Sequence, residues 1–150
     1  MSMNVIPVVL VSIPEGTSSD WVFDSLELTD EIYVEAEDEY VPNPKYRPDL
    51  DLNMSNRNAI FVAEAIGMTI TDGEVENMTI EEFIGRCDSW LRANFGKPSP
   101  EVPGDVSVGA RGAVIHTAGV GQGYLSEKIR RCAVIAREGL SRGATHMQFA

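Results

Sequence analysis

The sequence predicts an α+β domain, or an open-sheet α/β one, with about four to six strands and three helices in a single unit. Three observations carry this. A continuous apolar run at 5–13 (VIPVVLVSI) has the composition of a strand covered on both faces. Three later segments repeat apolar residues at intervals of three and four, as amphipathic helices do. The stretch 112–149 reads as strand, glycine loop, helix and strand, a C-terminal β-α-β unit.

Within 5–13, Pro7 falls near the start, where a missing donor is tolerated, and the strand is expected at the sheet centre. Residues 14–20 (PEGTSSD) form a turn-rich break. Residues 21–28 (WVFDSLEL) fit a short strand or a helical turn and are read as a strand. Residues 31–40 (EIYVEAEDEY) alternate, with Ile32, Val34 and Ala36 on one face and Glu31, Tyr33, Glu35, Glu37 and Glu39 on the other. Three prolines make 41–50 an extended loop.

Ser55 or Asn56 caps a helix over 56–66, with Ala59, Ile60, Ala63 and Ile66 inward and Gly67 as its stop. A connection follows, turning at Asp72 and Gly73. Thr79, with Glu82 three residues on, has the spacing of a capping box opening a helix over 80–94. Its stripe is Ile80, Phe83, Ile84, Cys87 and Leu91, with Trp90 at the border and Gly96 past the end. A proline-rich loop at 97–105 leads to a strand at 113–117 (AVIHT). The helix over 124–142 then buries Leu125, Ile129, Cys132, Ala133, Ala136 and Leu140. Gly143 stops it, and 145–149 returns as a strand expected to lie parallel to 113–117 through a right-handed crossover.

The formal charge is −11, unevenly spread: residues 1–85 hold 18 acids and 3 bases, residues 86–150 hold 5 acids and 9 bases. Phosphates are repelled by the first part, which argues against nucleic acid as a partner and leaves room for a basic one. High charge also serves solubility alone. Two cysteines on apolar helix faces suggest a reducing compartment and no disulfide framework. The apolar run at 5–13 is too short to cross a bilayer and lacks a basic lead-in, so a cytoplasmic protein with no membrane role is expected.

Residues 52–59 (LNMSNRNA) and 65–68 (AIGM) resemble a recurring pattern in small uncharacterised bacterial and phage-encoded proteins: an N-x-S-N-x-N-A motif, a short helix and a glycine stop. Gly123, Tyr124 and Leu125 with the amphipathic helix, Gly143 and a terminal strand are similar to the end of those proteins. The resemblance covers 50–150 and implies no catalytic residue.

Two sites compete. The loop of Gly119, Gly121 and Gly123, between a strand and a helix start, gathers backbone N–H groups of the kind that hold anions, with Ser126, Lys128 and His116 nearby. Its G-x-G-x-G spacing matches neither the dinucleotide fingerprint nor the Walker loop, and a plain turn needing positive φ explains it equally. His116 has no sequence-adjacent carboxylate or serine to complete a dyad; His146 sits beside it only if their strands are parallel neighbours. Two histidines and two distant cysteines lack zinc spacing.

The other site is the acidic face Glu31, Tyr33, Glu35, Glu37 and Glu39. Its carboxylates recur every ~6.5–7 Å if extended, too wide for one calcium cage, so no metal or cofactor is expected. It either guards a sheet edge or docks on a lysine- or arginine-rich surface. Lys128, Arg130, Arg131, Arg137 and Arg142 on the last helix are expected to pair with acids of this chain or of a homodimer partner. With no complete catalytic set, the leading reading is a non-enzymatic interaction module of the kind a phage or mobile element encodes as an inhibitor, presenting its acidic face to a basic partner. The alternative is a small-anion or nucleotide binder, or an enzyme, using the glycine loop.

Overall fold

The structure, a computed structural model, describes residues 1–97, 99–101, 103–108, 114–117, 119 and 121–150, with backbone alone at 105–108 and 114–117. In chain order the elements are β1 (Ser2–Ile13), β2 (Gly16–Trp21), a 3-10 turn (Ser25–Leu28), β3 (Glu31–Val34), β4 (Glu39–Pro42), β5 (Asn53–Ser55), α1 (Asn56–Ala65), β6 (Ile70–Thr71), β7 (Glu74–Val75), β8 (Met78–Thr79), α2 (Ile80–Ala93), β9 (Asp105–Val108), β10 (Val114–Thr117), α3 (Tyr124–Ser141) and β11 (His146–Phe149). Helices and strands of this mixture, with antiparallel ladders, make the fold α+β.

β1 is the axis of the main sheet, ordered β2-β1-β11-β8 with β5 also on β1. Val5, Ile6, Pro7 and Val8 are buried, matching the expected central strand, but from Val11 onward the same strand is exposed. Asn4 and Ala150 exchange both backbone bonds, so residues 4, 6 and 8 face β11 and the odd residues face the other way. On that other side β5 covers residues 2–4 and β2 covers 8–13. Pro7 sits at the changeover, where its missing N–H leaves the β11 ladder intact.

The helices stand where their periodicity put them. Ile80, Phe83 and Cys87 of α2 and Ile129, Cys132, Ala133, Ile135 and Ala136 of α3 close over Val5, Met147 and Phe149, with Ala59, Val62 and Ala63 of α1 alongside. Gly139, against Pro7, lets α3 lie low on β1. Leu140, placed inward by its spacing, is 40% exposed. Gly67, Gly96 and Gly143 end the three helices at positive φ, and Ala144 N–H donates to Gly139 O (2.9 Å).

The pairing of strands departs from the expectation. β10 pairs antiparallel with β9 in a separate ribbon, whereas β11 pairs antiparallel with β1 and β8, so the two strands, 114–117 and 146–149, are not parallel neighbours, and residue 113 of the expected strand lies outside the described residues. The reason is that β1, the most apolar strand, takes β11 as its neighbour. Residues 21–28 are not a strand: β2 occupies part of the supposed break, and Ser25–Leu28 is a 3-10 turn. That turn holds the capping box, with Asp24 Oδ1 accepting from Leu26 N–H (2.9 Å) and Glu27 Oε2 from Asp24 N–H (3.0 Å). At Thr79 no side-chain cap bond forms; Glu82, the other half of the expected box, turns to Arg86 (2.6 Å), and Ile80 N–H donates to Thr145 O (3.0 Å). Ser55, by contrast, caps α1 through Asn58 N–H (3.3 Å).

Candidate functional site

Residues 31–42 are a hairpin, not one strand. Glu37 N–H donates to Val34 O (3.1 Å) and Asp38 adopts φ 53°, a left-handed step that aspartate tolerates better than most residues. The chain therefore reverses, pairing Tyr33 with Tyr40 and Val34 with Glu39. Because directly opposed residues share a face, Glu31, Tyr33 and Tyr40 project on one side while Glu39 joins Ile32, Val34 and Val41 on the other. Glu39 thus leaves the face to which strict alternation assigned it, and Ala36 is exposed rather than packed.

The tyrosine rings meet at 5.3 Å with a 58° tilt, and Tyr33 is 50% and Tyr40 69% exposed. The Tyr33 hydroxyl donates to the Asp38 carboxylate, which holds the phenol above its usual range. Glu31, Glu35, Glu37, Asp38 and Glu39 are all exposed, and no ion pair among the described residues reaches any of them. The ribbon is separate from the main sheet, and among the described residues both of its strands are edges.

Asn43 anchors the hairpin base. It is 7% exposed; its Nδ2 donates to Leu26 O (2.6 Å) and Thr29 O (2.7 Å), and its Oδ1 accepts from Lys45 N–H (2.9 Å). Sequence reasoning missed this residue, although asparagine before Pro44 is a recognised turn signal. The 3-10 turn is fixed in its turn by Arg142, whose guanidinium binds Glu27 in a fork (2.7 and 3.0 Å) and also Glu138 (2.8 Å), over the Phe23 ring at 4.9 Å.

Other cations of α3 also find partners within the chain. Arg137 binds both Asp88 carboxylate oxygens (2.6 Å each), Arg131 donates to Pro48 O (3.0 Å) and Asp51 O (2.5 Å), and Lys128 lies between Glu127 (3.0 Å) and the Tyr124 ring (5.2 Å). Arg130 lines a shallow groove with Trp90 and Phe95.

The glycine loop is less open than its sequence suggested. Gly123 supplies the positive φ (83°) at the start of α3, and its N–H donates to Ser99 O (3.0 Å). Ser126 N–H donates to Ser99 Oγ (3.3 Å), so a serine 27 residues upstream, itself 1% exposed, caps the helix. Gly119 and Gly121 are exposed; Val120 and the side chain of His116 lie outside the described residues. The backbones of His116 and His146 belong to different ladders, so the two are not neighbours on one sheet. Among the described residues no group of three or more His, Cys, Asp or Glu is arranged to hold a metal.

A cleft of about 860 Å³ opens beside β6 and β7, where Asp72 (φ 54°) and Gly73 (φ 82°) make the expected turn. Asp72, Glu74 and Glu76 line it with Asn56, whose buried Oδ1 has no hydrogen-bond partner among the described residues. Among the described residues, no helix is long and apolar enough to cross a membrane. Compared with known proteins, the chain matches no family model, no curated sequence and no solved structure.

Proposed function

We propose that this chain is a non-enzymatic cytoplasmic interaction module that docks its acidic hairpin, residues 31–42, on a basic protein surface, as an inhibitor encoded by a phage or mobile element does. One observation carries the reading. Lys128, Arg137 and Arg142 of the last helix are spent within the chain, on Glu127, Asp88, Glu27 and Glu138, while among the described residues no cation pairs with the carboxylates of the hairpin. Unpaired solvated charge around an exposed aromatic pair is suited to fast, salt-sensitive recognition. Less supports the alternative anion site, since Ser99 already occupies two of the amides it needs.

The test is capture from bacterial lysate with the wild type and with the double variant Glu35→Lys/Glu37→Lys, at low and high salt. Both positions are exposed turn residues, so the variant folds. A specific partner that is lost both in high salt and with the variant supports the reading. Capture indifferent to both, or no specific partner at all, overturns it.

A further inference from the structure

Beyond Val8, the central strand leaves the core as an arm of two strands. Val11 and Ile13 are 43% and 42% exposed, and Trp21, opposite Val8, is 50% exposed. Val22 N–H donates to Pro7 O (3.3 Å), which sets the parity of the pair: Gly16, Ser18 and Asp20 turn their backbone groups to β1, and Thr17, Ser19 and Trp21 turn theirs outward. No strand lies against that outer edge among the described residues. β2 (GTSSDW) has no lysine or proline to blunt it, and Asp20 is its one charge.

We propose that β2 pairs antiparallel with β2 of a second copy of this chain, about a two-fold axis through Ser19. Only outward residues exchange bonds across such an edge, so the register that uses all three sets Ser19 against the partner's Ser19 and Thr17 against the partner's Trp21. Asp20 then faces the partner's Ser18, a hydroxyl able to donate to it. A shift of two residues one way puts Asp20 against the partner's Asp20, two like charges in contact. The opposite shift strands Trp21 beyond the end of the partner strand. In this register Ser19 opposes itself, Ser18 opposes Asp20 and Thr17 opposes Trp21, so no like charges and no two bulky side chains meet, and this self-complementarity selects a second copy over a foreign strand.

The contact is short, well below the ~1,200 Å² of a standard stable complex, so the dimer is weak and concentration-dependent. Each copy carries a charge of −11. Repulsion between copies opposes pairing, and salt, by screening it, tightens the dimer, the reverse of its effect on a basic partner. The proposal is therefore independent of the hairpin's function.

Sedimentation of the whole chain over a concentration series, at low and high salt, reads it. The dimer fraction is expected to rise with both. Ser19→Pro removes the outward N–H at the axis and no bond to β1, so this variant stays folded and monomeric. Ser19→Cys forms an interchain disulfide under mild oxidation, because residues opposed at a bonded antiparallel pair lie ~5.5 Å apart at Cα, within disulfide reach. Thr17→Cys does not. A chain monomeric throughout, a Ser19→Pro variant that dimerises like the wild type, or cross-linking at 17 in preference to 19 overturns the proposal.

Discussion

Gly139 of α3 lies directly against the ring of Pro7 in β1, so close that a Cβ at 139 would overlap the ring. Two residues usually avoided in regular structure are here each other's reason. The proline fills the space that the glycine leaves, and α3 settles on the sheet at that point.

Gly139→Ala is therefore expected to destabilise the protein by ~1–3 kcal/mol through overpacking. In a free helix the same change would stabilise by ~1 kcal/mol. Urea unfolding measures the sign; equal or greater stability would refute the contact.

Glu27 supplies a pH-dependent tie between the 3-10 turn and α3. The hydrogen bonds from Arg142 hold its carboxyl below the ordinary value of 4.5, against the opposing pull of burial. A depressed folded value means that the stabilisation is present above pH 4.5 and is lost as pH falls through the folded value. Glu27→Gln is expected to cost ~1–2 kcal/mol near neutrality, and the two proteins converge in stability in acid. A gap that persists unchanged at low pH would refute this.

Ser99 is predicted to matter through α3. Ser99→Ala leaves the Ser126 N–H without its acceptor and should cost ~1 kcal/mol, with faster amide exchange in the first turn of α3. Unchanged exchange there would show that the cap contributes nothing.

Both cysteines are free and buried; burial pushes the Cys87 thiol up to about 12 and raises Cys132 as well. Neither is a thiolate at neutral pH. A thiol reagent should label both only in denaturant, and rapid labelling of the native chain would contradict the packing of α2 on α3.

What was legible in the sequence was local. Ile80, Phe83 and Cys87, or Leu125, Ile129 and Cys132, declare a helix face within a few turns, and Gly67, Gly96 and Gly143 declare its end. The hairpin was misread because its reversal depends on Asp38, a non-glycine residue at positive φ, in a run whose alternation looked unbroken. Partners distant in sequence leave no such trace. Ser99 caps a helix 27 residues on, Asn43 reaches back to Leu26, and Val5 pairs with Phe149. The acidic site was found in composition but its facing was not, since Glu39 changes sides with the turn.

The pairing of Val5 with Phe149 also constrains how the protein comes into being. During translation β1 emerges long before β11, and one of its two flanks stays open until residues 146–149 have been made. A pairing so distant in sequence carries a large loop-closure cost, so folding of the sheet is expected to wait on the arrival of β11 rather than on helix formation.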